Sequence, residues 1–108
     1  MAAASVKIEK CKDYDGLCVT LNGKSCDMYD FLQKAIDKAL HTQYFDVIAF
    51  AKTSLSNEFL VFIMTQRTIL EKVLVTFEDD KLRIWIKFGD SSVRVSLTYD
   101  EILKGAQE

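Results

Sequence analysis

Three stretches near the C-terminal end leave the backbone little choice. In Lys72 to Phe77, Lys81 to Phe88 and Val93 to Thr98, apolar residues fall at every second position. A period of two marks a strand with one buried face. The joins "EDDK" and "GDSS" are short, polar and turn-forming, so the three segments are predicted to form an antiparallel meander. With Phe77 set opposite Leu82 and Phe88 opposite Val93, one face collects Val73, Val75, Ile84, Ile86, Val95 and Leu97. The other collects Lys72, Arg83, Trp85, Lys87 and Arg94: four cations, the chain's single tryptophan and no acid.

Upstream, Val6 to Cys11 and Leu17 to Leu21 form a second predicted hairpin with Lys12 to Asp15 as its loop. This register sets Ile8 against Val19 and Val6 against Leu21, and makes Cys11 and Cys18 diagonal, a poor arrangement for a disulfide. "NGKS" (Asn22 to Ser25) is the turn that leaves it. From Cys26 to His41 the apolar residues Met28, Phe31, Leu32, Ala35, Ile36, Ala39 and Leu40 recur at three and four, which is one face of a helix. Ser25 or Asp27 can cap its start. "YFDVIAFAK" and "EFLVFIMTQ" flank "TSLSN" and are rich in β-branched and aromatic residues, so they are predicted to form a hairpin. A helix from Asn57 to Val75 competes, but its stripe is blurred by β-branched residues. "RTILEK" is a turn, a bulge or a helical turn, and "TYDEILKG" is a short closing helix stopped at Gly105.

The order is thus ββ-α-ββ-βββ-α across a single domain of 108 residues. Strands segregated from helices indicate the α+β class: one curved antiparallel sheet with the long amphipathic helix packed on it. The tail "LRIWIKFGDSSVRVSLTYDEILKG" is similar in cadence to the closing part of stringent-starvation adaptors, and to strand–helix endings of single-strand-binding coactivator domains. It shares no diagnostic residues with either, so no family follows from it.

Little in the chain suggests catalysis. Cys26 and the one histidine, His41, open and close the same helix, roughly 20 Å apart at about 1.5 Å per residue. "LNGKSCD" lacks the first glycine of a phosphate loop. Glu78, Asp79 and Asp80 sit in a predicted solvated turn without calcium-ligand spacing. The three cysteines, Cys11, Cys18 and Cys26, match no zinc pattern and are expected to be reduced. "MAAASVKIEK" has no apolar run of the signal-peptide kind, and charges interrupt every candidate span, so a cytoplasmic chain without membrane contact is expected.

These observations point to a non-enzymatic binding module, an adaptor or inhibitor, with no cofactor or metal. Its expected docking residues are Lys72, Arg83, Trp85, Lys87 and Arg94, and its expected partner is a protein with an acidic surface. The alternative is nucleic acid on the Arg83–Trp85–Lys87–Arg94 face, although the net charge of −2 gives no general attraction to it. The segment from Phe59 to Met64 is apolar on both faces, which requires cover on both. Either the sheet wraps on itself, or Phe59, Val61, Phe62 and Ile63 contribute to a homodimer interface.

Overall fold

The structure, a computed structural model, describes residues 6–21, 23–41, 44–55, 57–64 and 70–105. Asn22, Ser56, residues 67–69 of "RTILEK" and the side chain of Phe88 lie outside this description. The chain is α+β, and its described residues form two antiparallel sheets and two helices. Strands β1 (Val6–Lys10), β2 (Leu17–Leu21) and β3 (Lys24–Asp27) form a three-stranded sheet in chain order. Helix α1 (Met28–Leu40) follows. Strands β4 (Asp46–Lys52), β5 (Glu58–Met64), β6 (Leu70–Phe77), β7 (Lys81–Phe88) and β8 (Ser91–Thr98) make a five-stranded meander, and α2 (Tyr99–Gly105) closes the chain.

Helix α1 forms where the stripe predicts it. Asp27 caps it by accepting the Asp30 N–H at 3.2 Å. At the other end His41 adopts a left-handed φ of 54°, and its N–H donates to the Asp37 carbonyl. The buried side chains of α1, namely Met28, Phe31, Leu32, Ala35, Ile36 and Ala39, all carry the predicted spacing. They meet Val19 and Leu21 from the small sheet and Phe59, Val61, Ile63, Val73, Val75, Ile84 and Ile86 from the large one. One core therefore joins both sheets through the helix. Phe31 stacks on Phe77 at 5.8 Å, and Phe59 meets Phe77 edge-on at 5.9 Å. Truncating such a buried aromatic to alanine costs about 3–5 kcal/mol.

The β1–β2 register pairs Val6 with Leu21 and Ile8 with Val19, as expected. Strands β5 and β6 occupy the stretch for which a helix competed. Four features differ from the sequence reading. Lys24 and Ser25, expected in the turn, and Cys26 and Asp27, expected to open the helix, instead form strand β3, pairing with β2 from Cys18↔Asp27 to Leu21↔Lys24. The strands divide between two sheets. In the β7–β8 hairpin, Phe88 pairs with Ser91 and Val93 with Ile86, because the turn is the two residues Gly89 and Asp90, with Gly89 at φ +57°. The shift is two residues, so every side chain keeps its predicted face.

The fourth is a disulfide. Cys11 and Cys18 are bonded, with Cα atoms 5.1 Å apart. They are diagonal in register, since Cys18 lies opposite Glu9. A diagonal pair inside a ladder would be about 7–8 Å apart. Cys11, however, has left β1, and its N–H closes onto the Gly16 carbonyl at 2.8 Å, which draws the strand end inward. Cys26 remains a free thiol, and burial raises its pKa.

Candidate functional site

Residues that alternate away from the core on β5 to β8 form a face to which, among the described residues, no helix is applied. Its rows follow from the pairing. One row runs Ala51, Leu60, Leu74, Trp85, Arg94; its neighbours run Ala49, Phe62, Lys72 and Glu58, Thr76, Arg83, Ser96. Trp85 stands near the middle of β7, the second-last strand of the sheet, between Leu74 on β6 and Arg94 on β8.

The indole is half-buried, as expected for an aromatic on this face and not in the core. The Arg94 guanidinium carbon lies 4.9 Å and the Lys87 ammonium 5.7 Å from its ring centre. Each contact is worth about 0.5–1 kcal/mol at an exposed site. The indole N–H is buried without a hydrogen-bond partner. An orphaned donor of this kind is stabilised by any acceptor brought to it. Beside the ring lies a shallow depression of about 290 Å³, lined by Leu74, Thr76, Trp85 and Arg94 and flanked by Glu58 and Glu78.

The expected docking residues thus share one face, but the charge pattern needs correction. Arg83 pairs with Glu78 at 3.3 Å, and Glu58 enters the same row from β5. The face is therefore not free of acid. Three strands considered alone omit a fourth strand and the turn, which is why both carboxylates were missed. Among the described residues Arg83–Glu78 is the only ion pair; Lys72, Lys87 and Arg94 have no carboxylate partner.

The expected dimer residues are separated. Phe59, Val61 and Ile63 are 0% exposed, on the core side with α1. Only Phe62 points to the open face, where it is half-buried. The two-sided apolar character of β5 is explained by α1 on one side and by neighbouring side chains on the other.

A second constellation was not foreseen. Tyr14, inside the loop closed by Cys11–Cys18, donates its hydroxyl to Asp27, the cap of α1. That bond to a carboxylate, then burial, raise the Tyr14 pKa to about 12. Cys26 and His41 stand at opposite ends of α1, so neither assists the other. Among the described residues no group of histidine, cysteine and carboxylate side chains could hold a metal, and no helix is long and apolar enough to cross a membrane. No protein-family model matches the chain, and no curated protein or solved structure is significantly similar to it.

Proposed function

We propose that this chain is a small non-enzymatic binding module that docks an acidic protein partner on the open face of the five-stranded sheet. The observation that carries the reading is Trp85, a half-buried indole between Lys87 and Arg94, two cations that lack carboxylate partners among the described residues. A rigid aromatic with flanking charges gives affinity at small ordering cost, because little rotamer freedom is left to lose. Leu60, Phe62 and Leu74 supply apolar area around it, and Lys72 and Lys87 supply a charged rim. Glu58 and Glu78 beside the ring work against a continuous phosphate track, so nucleic acid is the weaker reading. A second copy laid on the same face would set cations against cations.

The test titrates the full chain with a polyglutamate peptide and, separately, with single-stranded oligothymidylate, at salt concentrations of about 50 and 200 mM. Trp85 emission reports binding, with calorimetry for variants. The glutamate peptide should bind, and Arg94→Glu should weaken it at least tenfold. Tighter binding of the oligonucleotide, with a steep salt slope, would replace this reading by nucleic-acid recognition. Silence with both probes would end it.

A further inference from the structure

The two edges of the large sheet are built differently. On β4 the register slips between Val47 and Ala49, so Ile48 is an extra residue in a bulge. The start of the same edge is bracketed by Gln33 of α1, whose amide donates to the Phe45 carbonyl at 2.7 Å and accepts the Val47 N–H at 2.9 Å. Bulges and covering side chains are devices that stop an edge from pairing. Edge β8 has no bulge, and among the described residues a side chain covers it only at its last position, Thr98. It pairs with β7 over all eight residues without interruption, from Phe88↔Ser91 to Lys81↔Thr98. Ser92, Arg94, Ser96 and Thr98 are exposed.

The direction of its free backbone groups follows from two hydrogen bonds and the strand register. The Glu78 N–H donates to the Lys81 carbonyl at 2.9 Å, so the backbone of Lys81 faces β6 and turns away from β8. Thr98, opposite Lys81, is therefore in a non-hydrogen-bonded pair. Its N–H is taken instead by the Glu101 carboxylate at 2.9 Å, which agrees. Alternation along the ladder then turns the N–H and C=O groups of Ser96, Arg94 and Ser92 outward, to the open edge.

We infer that β8 is a strand-addition site, and that its occupant is an extended segment of a partner protein carrying Asp or Glu opposite Arg94. The inference rests on the acidic-partner reading above and specifies how that partner engages. In an antiparallel addition the partner residue opposite Arg94 exchanges both backbone bonds with it, at a Cα separation of about 5.5 Å. Its side chain shares the face of Arg94 and Trp85, where a carboxylate meets a cation that has no other. Opposite charges directly across a ladder are favourable and like charges unfavourable. That rule also disfavours a second copy paired symmetrically about Arg94, which would set Arg94 against Arg94.

The experiment selects a random nonapeptide library, displayed on phage, against the full chain, and measures the enriched peptides on wild type, Trp85→Ala, Arg94→Glu and Ser96→Pro. Ser96→Pro deletes an outward N–H, which proline tolerates on an edge strand, and leaves the charges in place. Enriched peptides should carry a central acid between β-branched residues and lose at least tenfold in affinity on Arg94→Glu and on Ser96→Pro. Amide exchange at Arg94 and Ser96 in the wild-type chain should slow at least tenfold when peptide is added. That measurement stands if the proline variant does not fold. Peptides that respond to Trp85→Ala and Arg94→Glu but not to Ser96→Pro or exchange would overturn strand addition and leave the face reading intact. Peptides indifferent to every variant would overturn both. Concentration-dependent protection of Arg94 and Ser96 without peptide would assign the edge to a second copy and overturn the inference.

Discussion

Replacing Gln33 by methionine isolates a polar contact between α1 and the start of β4. Methionine keeps the length and helix propensity of glutamine and removes only its amide. That amide donates to the Phe45 carbonyl at 2.7 Å and to Asp37 Oδ1 at 3.0 Å, and accepts the Val47 N–H at 2.9 Å. At about 1 kcal/mol net per bond the sum is about 3 kcal/mol; water re-forms some of it at a half-buried site, leaving about 2 kcal/mol. With a urea m-value of about 1.5 kcal/mol/M, the unfolding midpoint should fall by roughly 1.3 M. The loss should also depend on pH. Burial raises the Asp37 pKa, and the Gln33 bond opposes that rise. An acid whose native pKa is raised contributes stability at low pH that declines as pH rises from its ordinary value of 3.8 to the native one. Without Gln33 the native value climbs further, so the variant should lose more at pH 7 than at pH 3. A midpoint within about 0.3 M of wild type, or a larger loss in acid, would refute this account.

Other outcomes can be checked by the same denaturation assay. Cys11→Ser opens a loop with a sequence separation of 7, and the chain-entropy relation gives a loss of about 2.5 kcal/mol; a dithiol reductant should match it on wild type and change Cys11→Ser little. Glu101 is held below its ordinary 4.5, chiefly by the Thr98 N–H and also by its hydroxyl. Its linked stability is complete above 4.5 and lost as pH falls through the lowered native value, so Glu101→Gln should flatten the acid limb of stability against pH. His41 closes α1 at φ 54°, where a Cβ is unfavourable, so His41→Gly should raise stability by about 0.5–1 kcal/mol.

Elements defined by their own periodicity were legible from the residues alone. The three-and-four stripe of α1 and the alternation of β7 each encode a buried face, and any partner would be met by that same face. Trp85 was placed correctly because Ile84 and Ile86 already occupy the core side. Features that depend on a neighbour were not legible. "KSCD" has no alternation and becomes a strand only because β2 lies beside it. Glu58 and Glu78 reach the tryptophan face across β6 and around a turn, which no inspection of β7 and β8 alone reveals. The Cys11–Cys18 bond depends on a strand end bending by a few ångströms, and the burial of Phe59, Val61 and Ile63 depends on which side of β5 receives α1.

The sheet order has a kinetic consequence. Every strand in the sequence β4-β5-β6-β7-β8 pairs with the strand just before or after it in the chain, and β1-β2-β3 does the same. Each ladder can therefore close across a short loop, with little chain entropy spent before contacts form. Closures that span much of the sequence fall to the packing of α1 and α2 against each other and of α1 against β8. Two meanders assembling locally and docking through one helix make a low-contact-order route for a protein so rich in strand, and its folding should be faster than that of a sandwich of equal size. The helix should then be the late, rate-determining joint, with its core residues showing smaller φ-values than those of the β6–β7 hairpin.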